Sequence, residues 1–176
     1  MKNTSKFQQA LSEIKLVVFD IDGVFTDGRI WLDDHGNESK SFHVRDGHGI
    51  KLLLHYGIQV AVLSGRNSKA VDVRMNELGV KDIWQGHIDK RAALQTIIQQ
   101  NNLTNEDVAY VGDDIVDVQA MRIAGVSFAV ADAHSWAQEH AMLVTENSGG
   151  FGAVREICEL ILDAKGLLNT ALEFNL

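Results

Sequence analysis

Short apolar runs recur along the chain at residues 16–19, 60–63, 83–84, 108–111, 127–130 and 142–144, each brief enough for a strand. Between them, apolar residues return every three or four positions, the period of a helix with one buried face. Ile50, Leu53 and Leu54 predict a helix ending at Gly57, and Val71, Met75 and Leu78 one ending at Gly79. Leu94, Ile97 and Ile98 continue the theme. Val116, Ala120, Met121 and Ala124 predict a stripe ending at Gly125, and residues 154–162 a final helix. Strands alternating with helices predict an α/β fold, a Rossmann-like parallel sheet flanked by helices.

One segment breaks the alternation. Residues 29–32 and 38–42 flank the turn-rich Asp33-Asp34-His35-Gly36-Asn37, which predicts a projecting β-hairpin. No insertion is large enough for a separate cap domain, so the reading is a single domain over residues 1–176.

Composition narrows the functional classes. Hydrophobic residues at 45% and charged residues at 23% are ordinary for a globular protein. A net charge of −8 gives no clustered basic surface for nucleic acid or an anionic membrane. Neither a signal-like start nor a membrane-length apolar run is present, so the expected location is cytoplasmic. Cys158 is the only cysteine, which excludes an intrachain disulfide, and its neighbours Val154, Ile157 and Ile161 place it on a buried helix face. With no proline in the chain, turns rely on Gly, Asn and Asp.

Two of the apolar runs end in acids. Val17-Val18-Phe19 opens into Asp20-Ile21-Asp22-Gly23, and Tyr110-Val111 opens into Gly112-Asp113-Asp114-Ile115-Val116-Asp117. Turn formation or helix capping accounts for one or two of these acids. It does not account for two strand ends with the same chemistry. Carboxylates one residue apart can divide nucleophile and general acid/base roles. Four of them together repel unless a proton or a hard cation intervenes; magnesium, which takes oxygen ligands beside a substrate phosphate, is the natural candidate. Between the acids lie Leu63-Ser64-Gly65-Arg66, whose hydroxyl and amides suit phosphate oxygens, and Lys90, which suits phosphate charge. Arg45 and Arg66 offer guanidinium forks that suit a carboxylate.

The ordered set of Asp20 and Asp22, then Ser64, then Lys90, then Asp113 and Asp114 resembles the four motifs of the haloacid dehalogenase superfamily of phosphotransferases. Gly36-Asn37-Glu38 and residues 42–47, 63–66 and 149–156 further resemble one branch, the 3-deoxy-D-manno-octulosonate 8-phosphate phosphatases. The resemblance implies Asp20 as nucleophile and Asp22 as general acid/base. It implies magnesium held by Asp20, the backbone carbonyl of Asp22 and Asp113, with Asp114 and Asp117 supporting the metal site or Lys90 from behind. Ser64, Gly65 and Lys90 would meet the phosphoryl group, and Arg45 and Arg66 the sugar acid. It also implies a step in lipopolysaccharide precursor synthesis and a homotetramer in which the hairpin meets other copies and a neighbouring chain covers the pocket. Three alternatives stand beside this reading: an acylneuraminate 9-phosphate or other acidic sugar phosphate as substrate, a phosphoacceptor signalling domain, and a non-catalytic assembly protein. Lys90 preceding Asp113 runs against the signalling order, and the complete acid set runs against lost activity.

Overall fold

The computed structural model describes residues 4–173; the first three residues and the tail at 174–176 lie outside the described residues. Among the described residues, six parallel strands form one sheet in the order β5 (Asp82–Trp84), β4 (Gln59–Leu63), β1 (Leu16–Phe19), β6 (Val108–Gly112), β7 (Val126–Ala129) and β8 (Leu143–Val144). Each expected strand forms within a residue of its apolar run. The four residues of β1 are all buried, because helices cover both faces of the sheet and an uninterrupted apolar run suits such a strand.

Side-chain alternation divides the core in two. Val17 and Phe19 point to the face covered by α1 (Thr4–Glu13), α2 (Val44–His55), α3 (Lys69–Leu78) and α7 (Ala153–Ala164), where Leu11, Ile50, Leu53, Met75 and Ile157 meet them. Leu16 and Val18 point the other way, onto Leu94 and Ile97 of α4 (Lys90–Gln100), with α5 (Val118–Met121) and α6 (Ser135–His140) beyond. Cys158 is fully buried on α7, as its neighbours predict. The helix expected to end at Gly79 does so: α3 stops at Leu78, and Gly79 takes φ +86°, a conformation that costs glycine little.

Two expectations need correction. The hairpin is shorter than its sequence pattern, with β2 (Trp31–Leu32) pairing antiparallel with β3 (Glu38–Ser39). The stripe expected from Val116 to Ala124 is broken into a 3-10 turn over Ile115–Asp117 followed by the four-residue α5. The cause is Asp117, which turns inward to hydrogen-bond and leaves Ile115 and Val116 exposed instead of in the core. Three helices absent from the sequence reading also form, α1 at the start, α6 after β7 and α8 (Leu168–Glu173) near the end.

Strand order places the functional end. The chain leaves β1 toward β4 and β5, then returns to the other side of β1 for β6 to β8. Such a reversal opens a crevice at the carboxyl ends of the strands. Phe19 pairs with Val62 on one side and Val111 on the other, which brings the residues just beyond, Asp20, Ser64 and Asp113, to one edge of the sheet.

Candidate active site

These strand ends line a cleft of about 290 Å³, with Asp20 and Asp22 from the β1 end, Asp113 and Asp114 from the β6 end, Ser64 to Arg66 from the β4 end, and Lys90. All four sequence motifs therefore meet in one place. Lys90 is the first residue of α4, a helix started by Asp89, whose carboxylate accepts from the Ala92 amide. That start aims the lysine under the strand ends, where its ammonium lies 2.9 Å from Asp20 and 2.6 Å from Asp117 with only 4% of the residue exposed.

Asp117 is fully buried and fully engaged. One oxygen accepts from Lys90 and from the Tyr110 hydroxyl, each at 2.6 Å, and the other accepts from the Asp113 and Asp114 amides at 3.1 Å. It thus fixes Lys90 and the turn that carries Asp113. Asp114 caps the same turn through the Ile115 amide.

Oxygens of Asp20, Asp113 and Asp117 lie within 4.8 Å of one another. Because Asp117 already has four donors, Asp20 and Asp113 are the pair left to face a cation. Asp113 has no side-chain hydrogen bond or ion pair among the described residues. Burial, then the charge of Asp117, pushes the Asp20 carboxyl up to about 7 against the pull of Lys90. Burial, then the charges of Asp20 and Asp117, pushes Asp113 up to about 8. Burial works against the Lys90 ammonium, yet the two aspartates raise its pKa on balance. One lysine among three clustered carboxylates leaves surplus negative charge, and an all-oxygen donor set fits a hard divalent cation such as magnesium.

Asp22 stands apart from this cluster. Its carboxylate is in close ionic contact with Lys40, and the Arg66 guanidinium lies 3.6 Å away. Glu38 joins the group, 3.1 Å from Lys40 and in close contact with Arg66. Glu38 is desolvated, but the hydrogen bond from Arg66 and the ion pair with Lys40 outweigh that and hold it down to about 2. Lys40 and the role of Glu38 as its anchor were not read from the sequence; no local pattern ties residue 40 to residue 22. Ser64 is buried, its hydroxyl accepts from the Arg66 amide at 3.1 Å, and its own proton remains to be donated.

Arg45 is not brought to this cleft within one chain. It lines a second pocket of about 190 Å³ with Asn147, Phe151 and Arg155, because α2 presents its start to α7 rather than to the strand ends. Of the two arginines, only Arg66 reaches the acids.

Comparison with known proteins follows the same lines. The family model of haloacid dehalogenase-like hydrolases matches residues 68–157. The 3-deoxy-D-manno-octulosonate 8-phosphate phosphatase of Haemophilus influenzae is 46% identical over 159 residues, covering 90% of this chain and 88% of its own. That of Escherichia coli K12 is 44% identical over 158 residues, covering 90% and 84%. The crystal structure of the Moraxella catarrhalis phosphatase, in complex with magnesium ion, phosphate ion and a KDO molecule, superposes with a TM-score of 0.95 at 37% identity, covering 97% of this chain and 98% of that one. The cobalt-bound Haemophilus influenzae structure gives 0.90 at 43% identity, covering 94% and 100%. With a family model spanning half of the sequence and close relatives matching nearly its whole length, the chain belongs to the haloacid dehalogenase-like hydrolases, in the branch of the 3-deoxy-D-manno-octulosonate 8-phosphate phosphatases.

Proposed function

We propose that this chain is a magnesium-dependent phosphatase, a single domain over residues 1–176, that hydrolyses 3-deoxy-D-manno-octulosonate 8-phosphate to the free sugar acid and inorganic phosphate. The observation that carries the reading is the convergence of Asp20, Asp113, Ser64 and Lys90 on one cleft in a chain this similar to such phosphatases.

In the first step the Asp20 carboxylate attacks phosphorus, and the bond from phosphorus to the sugar oxygen breaks as Asp22 gives that oxygen a proton. In the second step Asp22 takes a proton from water, which attacks the aspartyl phosphate and releases phosphate and free Asp20. Lys90, held by Asp117, and the Ser64 hydroxyl with the adjoining Gly65 amide stabilise charge on the moving phosphoryl group. Magnesium held by Asp20, the Asp22 carbonyl and Asp113 supplies neutralisation of phosphate charge; Asp114 and Asp117 keep that turn in place. Arg66 is the chain's own group for the sugar carboxylate.

Ile30, Trp31 and Leu32 on the hairpin are each at least half exposed, which supports assembly through this element into a homotetramer whose neighbouring subunit completes the pocket. Arg45 then serves the substrate only across such a contact. The setting in this reading is the cytoplasm, in lipopolysaccharide precursor synthesis. Among the described residues no helix is long and apolar enough to cross a membrane.

The test is a magnesium-dependent hydrolysis panel read as kcat/KM. Octulosonate 8-phosphate should lead acylneuraminate 9-phosphate and simple hexose phosphates. A lead for the acylneuraminate substrate transfers the assignment to that sugar, and equal values throughout reject acidic-sugar specificity.

A further inference from the structure

The glycine-rich segment before α7 is not part of the cleft, yet it is packed against the turn that carries Asp22. The Gly150 amide donates to the Val24 carbonyl at 2.9 Å. A Cβ built on Gly149 would lie 1.7 Å from the Gly23 carbonyl oxygen, and one on Gly150 would lie 2.6 Å from the Thr26 carbonyl carbon. No side chain fits between these backbones. Gly23 in turn sits so close to Asp113 that its own Cβ would fall 2.0 Å from the carboxylate.

One carboxylate outside the cleft holds this segment in place. Asp132, in the loop after β7, accepts the Gly149 amide at 2.9 Å, and the neighbouring Ala131 amide reaches the Asn147 carbonyl at 3.3 Å. The same loop touches the other acid-bearing turn, where the His134 amide donates to the Asp113 carbonyl at 2.7 Å. Asp113, the 131–134 loop, the Gly149-Gly150 turn and the Asp22-Gly23 turn therefore form a closed circuit around the cleft. Glu156 reinforces it by accepting the Glu146 and Asn147 amides at 2.8 and 2.9 Å.

We propose that Asp132 is a positioning residue for proton transfer: through the Gly149 amide it presses the glycine turn onto residues 23–26 and so fixes Asp22 opposite the departing sugar oxygen. The inference rests on Asp22 being the proton donor. It separates from that reading in the first step, where proton donation matters only for a poor leaving group. An alkoxide such as the sugar oxygen needs the proton as the P–O bond breaks, whereas p-nitrophenolate departs without one.

The experiment compares Asp132→Ala, Asp132→Asn and Asp22→Asn in single turnovers of octulosonate 8-phosphate and p-nitrophenyl phosphate, reading release of the sugar and of p-nitrophenolate, with thermal unfolding of each. The first step is read because hydrolysis of the aspartyl phosphate, which also uses Asp22, is common to both substrates. For Asp132→Ala, the rate of sugar release should fall about 10- to 100-fold, the scale of a misplaced catalytic group, while the rate of p-nitrophenolate release is nearly retained. Asp132→Asn keeps an oxygen for the Gly149 amide and should restore the sugar phosphate rate. Asp132 is exposed, so the alanine variant should fold; should it not, Asp132→Ser, too short to reach the amide, makes the same comparison. Equal losses in the release rate of both leaving groups, no loss, or an Asn variant as poor as Ala would overturn the proposal. An Asp22→Asn enzyme lacking the leaving-group split would instead overturn the role of Asp22 beneath it.

Discussion

The floor of the cleft and the hairpin beside it are built on opposite principles. On the floor, Asp20 and Lys90 are 5% and 4% exposed, and every contact of the lysine comes from the same chain. On the hairpin, Trp31 and Leu32 are 57% and 65% exposed, and the strands are joined by two residue pairs and the hydrogen bonds between Asp33 and Asn37 at the turn. Phosphoryl chemistry needs fixed charges in a dry site, which one chain can supply. Apolar residues left outward on a short hairpin have no such internal partner. In the proposed enzyme the floor is the part assigned to the reaction, and the hairpin, with a second copy, is the part proposed to choose the sugar.

The contrast is broken most visibly at the nucleophile. Asp20→Asn should lower turnover by about 10⁴-fold or more on every phosphate ester, since an amide cannot form the acyl phosphate, as steady-state rates on clean protein would show. Its thermal unfolding temperature should hold or rise, because one of three clustered buried carboxylates is gone. Next in size is Lys90→Met, which leaves Asp20 and Asp117 buried without their cation and should cost about 3–5 kcal/mol of stability, measurable by urea unfolding, together with most activity.

On the hairpin side, Trp31→Asp with Leu32→Asp should reduce the mass measured by light scattering. It should also lower kcat/KM for the sugar phosphate roughly tenfold, in line with loss of a buried interface anchor, while p-nitrophenyl phosphate hydrolysis changes far less. Parallel losses on both substrates would erase the division between floor and hairpin.

The smallest effect lies at the far end of the sheet, which serves as a control. Asp107, held by Lys15 at 2.9 Å, has its carboxyl brought down to about 2 from the usual 3.8 by hydrogen bonds from Lys15 and Thr104. A lowered carboxylate adds stability above its unfolded pKa, and that stability is lost as pH falls from near 4 through 2. Asp107→Asn should flatten acid unfolding in that window slightly, because Lys15 is largely exposed, and leave activity at neutral pH unchanged.

The division also governs what could be read from the sequence. Asp20, Ser64 and Asp113 were legible because each follows an apolar run that can only be a buried strand, and parallel strands gather their carboxyl ends. Lys90 was legible from its order among them. Lys40 was not, since its contact with Asp22 exists only once the chain after the hairpin folds back over the β1 end. Asp117 defeated the helical period at 116–124, because its hydrogen bonds to Lys90, Tyr110 and two amides outweigh one turn of helix. Helix α1 had a signal in Phe7, Ala10, Leu11 and Ile14, spaced for one face, but the polar first residues hid it. The link from Asp132 to Gly149 crosses between loops and has no periodicity at all.

Covalent catalysis by Asp20 is tested most directly by a rapid acid quench during a single turnover of ³²P-labelled octulosonate 8-phosphate with magnesium. A nucleophilic Asp20 should give a transient, hydroxylamine-sensitive phosphoenzyme on the peptide that contains it, formed and lost fast enough to carry steady-state turnover. Turnover with no label on that peptide, or a label that persists long after the substrate is spent, would contradict that role.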